Sequence, residues 1–184
     1  MKQERIKLMS IQIQPAYIEA CVDAVQPFGD VLEVGFGSGF SLPHIQSYFP
    51  KSHTIIETDQ EQVLKARDWM GRYSNIHVIE DNWHNSLDKL GLFDAIFFHE
   101  EPFFSEHTED RLFSFLDHCL SDHMRPGSRL SCCLHDPTSK YQDRIWLEKI
   151  LGNPHLDYKE RKISLNPYGA NDSIEGLIIT IIKK

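Results

Sequence analysis

The strongest constraint in this sequence is an apolar run that leads directly into three glycines at alternate positions. The run from Val31 to Val34 has the composition of a buried strand, and Gly35, Gly37 and Gly39 follow it before a helical pattern from about Ser41 to Phe49. Glycines at such a junction allow a sharp turn and a close approach to a ligand, and the amides at the helix end can face negative charge. The segment therefore predicts a ligand-binding turn between a strand and a helix.

Further short apolar runs alternate with helical patterns along the chain. They lie at His53–Glu57, Ile76–Ile79, Phe93–Phe98 and Leu130–Leu134. Strands that alternate with helices favour a mostly parallel sheet covered on both faces, so the fold class is α/β. Two later runs, Leu156–Leu165 and Gly176–Ile182, have only turn-forming residues between them and predict an antiparallel hairpin at one edge of the sheet.

Two helices have the clearest sequence signals. Asp59 with Gln62 three residues later predicts an N-cap and capping box for a helix that continues through Met70. A second helix is predicted from Glu106 to about Met124, with the Pro126-Gly127 pair closing it.

A chain of 184 residues fits a single domain that needs no disulfide or metal to fold. We divide the domain 1–184 into an N-terminal lid and helix over 1–29, an α/β core over 30–152, and the C-terminal hairpin over 153–184. Its four cysteines form no C-x-x-C pair, so they predict reduced core thiols in a cytoplasmic protein.

The charge balance bears on possible partners. Nineteen Lys and Arg against 27 Asp and Glu give a net charge of −8, with no basic stripe that would attract a phosphate backbone. No segment approaches the length of apolar residues that a membrane helix requires. We therefore expect neither a nucleic-acid nor a membrane partner, and a monomer or homodimer that acts on a small molecule.

The spacing of the glycines distinguishes between two classes of ligand. A dinucleotide fingerprint needs glycine at its sixth position, where this chain has Phe40, so NAD and FAD are disfavoured. The pattern E-x-G-x-G-x-G instead resembles the first motif of class I S-adenosylmethionine (SAM)-dependent methyltransferases, whose loop packs against the methionine part of the cofactor. The resemblance implies SAM as cofactor, with contacts from Glu33, Gly35, Phe36, Gly37 and Gly39, although Glu33 also suits a structural role. A glycine-rich turn without a ligand is the alternative.

Acidic and polar residues end the next two strands. Glu57 closes the second strand and suits the ribose hydroxyls, which are hydrogen-bond donors, with Thr58 beside it. The third strand ends in Asp81, Asn82 and Trp83. The resemblance implies that a polar residue here meets the adenine amino group, for which Asp81 is the first choice and Asn82 the second. Trp83 is a candidate wall of the pocket.

From about Pro15 onward the chain also resembles a narrower family, the guanidinoacetate methyltransferases, which share a domain with bacterial and fungal arginine methyltransferases. The points of similarity are Val31–Gly37, His53–Glu57, Arg67-Asp68-Trp69, Phe113-x-Phe115 and Arg125-Pro126-Gly127. This resemblance implies a Rossmann-like seven-stranded sheet in the order 3-2-1-4-5-7-6, with strand 7 antiparallel.

The chain departs from that family where the chemistry is expected. The family carries a catalytic aspartate after its fourth strand, shortly before a proline, and here His99 occupies the aspartate position ahead of Pro102. Glu100 or Glu101 could replace the carboxylate from one or two residues away. The family also grips its substrate with acids before the first helix, where this chain has Ser10–Gln14, so guanidinoacetate itself is not the expected acceptor.

The predicted acceptor site therefore comprises His99, Glu100 and Glu101 after strand four and His135 after strand five, with His99 also expected to contact the cofactor. A hydrogen-bonded packing role is the alternative for each histidine, and no metal is expected because no H-x-x-x-H or related spacing occurs. The predicted function is SAM-dependent N-methylation of a small amine- or guanidino-bearing metabolite. The alternatives are an O-, S- or peptide-directed methyltransferase, and a degenerate cofactor-binding protein that has lost catalysis.

Overall fold

The computed structural model describes residues 15–99, 108–134, 146–165 and 174–184 of the chain. Strands and helices alternate through most of this length. In chain order they are α1 (Pro15–Val25), β1 (Asp30–Val34), α2 (Ser41–Gln46), β2 (Ser52–Glu57), α3 (Gln60–Met70), β3 (Ile76–Glu80), α4 (Trp83–Ser86), a 3₁₀ turn (Leu87–Lys89), β4 (Phe93–Phe98), α5 (Thr108–Asp122), β5 (Met124–Leu134), a π-helix (Trp146–Leu151), β6 (Leu156–Leu165) and β7 (Ile174–Lys183).

The strands form one seven-stranded sheet in the order β3-β2-β1-β4-β5-β7-β6. Strands β1 to β5 are parallel, and β7 runs antiparallel to both β5 and β6. The predicted sheet order and the predicted C-terminal hairpin are therefore confirmed. Parallel neighbours need a long crossover connection, usually a helix, whereas antiparallel neighbours such as β6 and β7 can be joined directly as a hairpin.

Apolar side chains fill both faces of the sheet. One core lies between the sheet and α5, and includes Leu116, Cys132 and Trp146; the opposite core packs α1 on the sheet and includes Val22 and Cys133. Adjacent Cys132 and Cys133 thus point to opposite faces of β5, as the alternation of a strand requires. All four cysteines are buried free thiols, as predicted. No helix in the described ranges is long and apolar enough to span a bilayer.

Two predicted helix ends are wrong. Helix α2 ends at Gln46 rather than Phe49, because Phe49 precedes Pro50 and adopts a left-handed φ of 56°. Helix α5 ends at Asp122, and Pro126-Gly127 lies inside β5 instead of closing the helix. Met124 pairs with Phe93 but Arg129 pairs with Ala95, so the residues between them form a bulge that accommodates a proline without an N–H group.

The predicted capping box of α3 is only half correct. The Asp59 side chain accepts from the Gln62 N–H at 3.1 Å, as an N-cap should. The Asp59 N–H, however, donates to Glu57 Oε1 at 2.9 Å rather than to Gln62. A neighbouring carboxylate therefore takes the donor that the capping box would have satisfied.

Helix α1 is fastened to α2 and the turn after it by one carboxylate. Asp23 Oδ1 accepts from Tyr48 Oη at 2.7 Å and contacts His44 Nε2 at 2.8 Å. Burial alone would raise the pKa of Asp23, but the hydrogen bonds from Tyr48 and His44 outweigh it and lower that pKa. The same bond raises the pKa of Tyr48 to about 12. Because the folded state favours the neutral phenol, the hydrogen bond between Tyr48 and Asp23 stabilises the fold fully below pH ~10. This stabilisation is lost as the pH rises through about 12.

Removing this carboxylate should return the phenol to ordinary behaviour. In Asp23→Ala, we expect the pKa of Tyr48 to fall toward ~10, because the charged acceptor is gone. A pH titration of the tyrosine ring ¹³C resonances measures it, with Asp68→Ala, which removes an exposed acid from α3, as the matched control. A Tyr48 pKa that stays near 12 in Asp23→Ala would show that another group holds the phenol.

Candidate functional site

The site lies at the carboxyl ends of the central parallel strands. Val34, the last residue of β1, pairs with Ile56 of β2 on one side and with Phe98 of β4 on the other. The residues that follow these three positions must therefore lie next to one another. They are the glycine loop after Val34, Glu57 at the end of β2, and His99 after β4. The sheet order thus brings together three of the segments predicted from sequence.

The carboxylate of Glu57 organises the glycine loop. Its Oε2 accepts from the N–H groups of Phe36 at 2.8 Å and Gly37 at 3.2 Å. Its Oε1 accepts from Thr58 at 2.7 Å and Asp59 at 2.9 Å. The side chain is buried, so these charge-assisted bonds lie out of water. Glu57 therefore has a role that the sequence did not indicate, namely fixing the conformation of the loop.

The loop needs its glycines for conformation and for space. Gly35, Gly37 and Gly39 have left-handed φ angles of 86°, 50° and 76°. A Cβ added at Gly39 would lie 2.7 Å from Cζ of the Phe36 ring, which is itself buried. Phe36 packs with Leu42 and residues of the core between the sheet and α3, so its ring cannot easily move away. The loop backbone is thus tightly placed against its own aromatic residue.

A small cleft opens beside this loop, and His99 forms part of its wall. The cleft is lined by Ile18, Phe36, Ser38, Gly39, Phe40, Ser41 and His99. The backbone N–H of His99 donates to Val34 O at 2.7 Å, which fixes the position of the residue. Its ring lies parallel to Phe97 at 5.8 Å between centroids, and tilted against Tyr17 at 6.0 Å. The imidazole is 5% exposed. An imidazole side chain therefore lies between aromatic rings at the wall of the cleft.

The predicted adenine-side residues occupy two different environments. Asp81 is half-buried, its N–H donates to Glu57 O at 3.1 Å, and a hydrogen bond from Asn85 lowers its pKa. Asn82 caps α4 by accepting the Asn85 N–H at 3.1 Å. Trp83 is 1% exposed and packs edge-to-face on Phe115 in the core beneath α5. The structure thus places Asp81 beside Glu57, gives Asn82 a capping role, and places Trp83 in the core.

Glu33 is buried below the loop rather than open to the cleft. It is 0% exposed, accepts a hydrogen bond from Ser41 Oγ, and pairs with His53 Nε2 at 2.9 Å. Glu100, Glu101 and His135 lie outside the described residues. Among the residues that are described, no group of three His, Cys, Asp or Glu side chains is arranged to hold a metal ion.

Several cleft residues were missed by the sequence analysis. Ile18 comes from α1, and Ser38, Phe40 and Ser41 surround the predicted glycines. Tyr17, also on α1, lies behind them against the His99 ring. Ser41 carried a usable signal, because a hydroxyl residue that starts a helix directly after a glycine loop lies at the ligand end of that helix. Ile18 had none, since an apolar residue on an amphipathic helix is indistinguishable from ordinary core in the sequence.

The residues present suit S-adenosylmethionine. Gly39 presents backbone without a side chain to the cleft, so a ligand can approach the loop closely there. The carboxylates of Glu57 and Asp81 stand at neighbouring strand ends, where the hydroxyl and amino donors of the cofactor need acceptors. One constraint follows from the geometry: the oxygens of Glu57 already accept four backbone N–H groups. A ribose hydroxyl that reaches Glu57 must share or replace one of these bonds.

Comparisons with known proteins show which family the chain resembles. The family model for guanidinoacetate N-methyltransferase matches residues 12–143. Over 95 residues the chain is 36% identical to protein arginine N-methyltransferase 2 from Candida glabrata. The matched segment covers 47% of this chain but only 22% of that relative. The chain therefore spans about a fifth of the length of this relative.

Solved structures share the fold at low sequence identity. An O-methyltransferase from Bacillus cereus in complex with S-adenosylhomocysteine (SAH) superposes with a TM-score of 0.66 at 15% identity, covering 92% of this chain and 80% of that one. TrmN from Thermus thermophilus gives a TM-score of 0.67 at 14% identity, covering 98% and 52% of the two chains. With its glycine loop, its sheet order and the match over residues 12–143, this chain belongs to the guanidinoacetate N-methyltransferase family of class I S-adenosylmethionine-dependent methyltransferases.

Proposed function

We propose that this chain methylates a nitrogen atom of a small metabolite that carries an amine or guanidino group. The names of the matching family and of the fungal relative support this class of acceptor. The family is named for guanidinoacetate and the relative for arginine, and both compounds carry a guanidino group. The net charge of −8 also favours a small cationic acceptor over a nucleic acid.

The observation that carries this proposal is the position of His99. It follows β4 directly, lines the cleft with Gly39 and Ser41, and has its backbone fixed by the bond to Val34 O. By resemblance, the family places its proton-accepting aspartate at this point of the chain. An imidazole gains and loses a proton near neutral pH, so it can perform the same transfer for a nitrogen of moderate basicity.

The remaining chemistry is mainly alignment. The bound cofactor supplies a methyl group activated on a sulfonium, so the chain needs no covalent nucleophile. Its residues hold the acceptor nitrogen in line with that methyl group, and alignment of this kind can lower a barrier by about 7–11 kcal/mol. His99 then takes the proton that the nitrogen loses. We propose Glu100, Glu101 and His135 as further acceptor-site residues.

On the cofactor side, we propose that the loop from Gly35 to Gly39 contacts the methionine part. Glu57 and Thr58 would lie at the ribose, and Asp81 or Asn82 at the adenine. Support comes from the sheet order, because these segments end neighbouring strands at one edge.

The test is a methyl-transfer assay of the purified chain with SAM and a panel of small acceptors. The panel contains guanidino compounds and primary amines, with hydroxyl and thiol analogues of the same carbon skeletons as matched controls. We expect SAH release together with a methylated nitrogen product. Transfer confined to oxygen or sulfur would overturn the proposed acceptor class, and SAH binding without any transfer would favour the degenerate cofactor-binding protein.

A further inference from the structure

A chain of buried polar side chains lies directly beneath the glycine loop. Gln46 Nε2 contacts His53 Nδ1 at 3.2 Å, His53 Nε2 contacts Glu33 Oε2 at 2.9 Å, and Ser41 Oγ donates to Glu33 Oε1. None of the four residues is more than 6% exposed. We call this set, Glu33, Ser41, Gln46 and His53, the Glu33 network.

The hydrogen bonds of the network fix where its protons lie. An amide nitrogen can only donate, so His53 Nδ1 must accept from Gln46 and carries no proton. The proton of the neutral imidazole is therefore on Nε2, which donates to Glu33 Oε2. The serine hydroxyl donates to the other carboxylate oxygen. Glu33 thus accepts one hydrogen bond on each carboxylate oxygen, from His53 Nε2 and from Ser41 Oγ.

The network connects this carboxylate to the cleft. Glu33 lies on β1 two residues before Gly35, while Ser41 begins α2 and lines the cleft beside Gly39 and His99. The glycine loop is consequently held at two points. Glu57 binds its first amides, and the Glu33 network binds the residue at which it enters α2.

We propose that Gln46 and His53 are positioning residues of the cofactor site. Gln46 holds the His53 ring through Nδ1, His53 orients the Glu33 carboxylate, and Glu33 holds Ser41 at the wall of the cleft. The proposal rests on the cofactor binding in this cleft. Neither residue touches the cleft itself, so both act through the chain of hydrogen bonds.

Removing either end of the network should loosen the loop. Without the Gln46 donor, Nδ1 of His53 is left buried without its hydrogen bond, and the ring loses one of the two contacts that orient it toward Glu33. We expect Gln46→Leu and His53→Leu to weaken SAH binding about tenfold, the change that 1.4 kcal/mol produces. His53→Gln keeps an N–H donor near the position of Nε2 and should restore most of the affinity.

The experiment combines calorimetric titration with SAH and ¹⁵N NMR of the histidine rings. The matched control is Ile45→Val, a buried change beside Gln46 on α2 that should lower stability without altering SAH affinity. The wild-type spectrum should show His53 protonated on Nε2 only, and Gln46→Leu should change that signature.

For a wild type that binds SAH, three results would overturn the proposal. One is a wild-type spectrum with the proton on Nδ1. Another is a loss of stability in Gln46→Leu and His53→Leu with SAH affinity unchanged, since that is a purely structural role. The third is an Ile45→Val control that weakens SAH binding as much as the network variants. If the wild type itself binds no SAH while the Nε2 tautomer is observed, the placement of the cofactor fails and the network remains a structural feature only.

Discussion

Replacing His99 with glutamine should lower the rate of methyl transfer by about 10²–10⁴-fold, with a much smaller effect on SAH binding. Glutamine has a shape close to that of histidine but cannot take up a proton. Because the backbone of His99 is fixed by its bond to Val34 O, the substituted side chain should still enter the cleft. The measurement is the single-turnover rate with the preferred acceptor, alongside a calorimetric titration with SAH.

The pH dependence separates proton transfer from packing. If His99 accepts the proton, the wild-type rate should fall at low pH, where the imidazole is already protonated, and His99→Gln should lose this fall. His99→Asp provides a further contrast, because a carboxylate favours a cationic acceptor and should shift preference toward guanidino compounds. A His99→Gln enzyme that retains the wild-type rate and pH profile would show that the residue only packs against Phe97 and Tyr17.

Removing the Glu57 carboxylate should have the second large effect. We expect Glu57→Ala to weaken SAH binding about 100-fold and to lower the stability of the fold, because four backbone N–H groups lose their shared acceptor. The loop amides of Phe36 and Gly37 would then face a cavity, and the loop would lose its fixed conformation. Calorimetric titration and a thermal melt measure the two consequences.

Glu57→Gln is the matched control for this prediction. Its amide keeps one oxygen acceptor but turns an NH₂ group toward the other pair of backbone donors, so an intermediate loss of affinity is expected. Binding of SAH by Glu57→Ala with wild-type affinity would contradict both the proposed ribose contact and the role of Glu57 in holding the loop.

Much of the fold could be predicted from the sequence, because the patterns that indicate its strands and helices are local. A strand that runs into glycines, an acid at the end of the following strand, and apolar runs of strand length do not depend on distant residues. The resemblance to a known family supplied the strand order that local patterns cannot. The bulge at Pro126-Gly127 could not be predicted, because it depends on how β5 meets Phe93 and Ala95 of a strand far away in the chain.

The site was predictable as a set of segments but not as a set of contacts. Glu57 was correctly placed at the end of β2, yet its bonds to the amides of Phe36 and Gly37 arise only when β1 and β2 pair. In the sequence, His53 was indicated only as a residue of the predicted second strand. Its partners Glu33 and Gln46 lie on two other elements, so nothing in the local pattern indicated a buried polar network.

The most direct test of the cofactor site is a titration of ¹⁵N-labelled protein with SAH, followed through its backbone amide resonances. We expect the largest shifts at the amides of Phe36, Gly37 and Gly39, with smaller ones at Thr58, Asp81 and His99. The far edge of the sheet, in β6, should change little. Shifts confined to residues away from the carboxyl ends of β1, β2 and β4, or no shifts at saturating SAH, would contradict a cofactor site at the glycine loop.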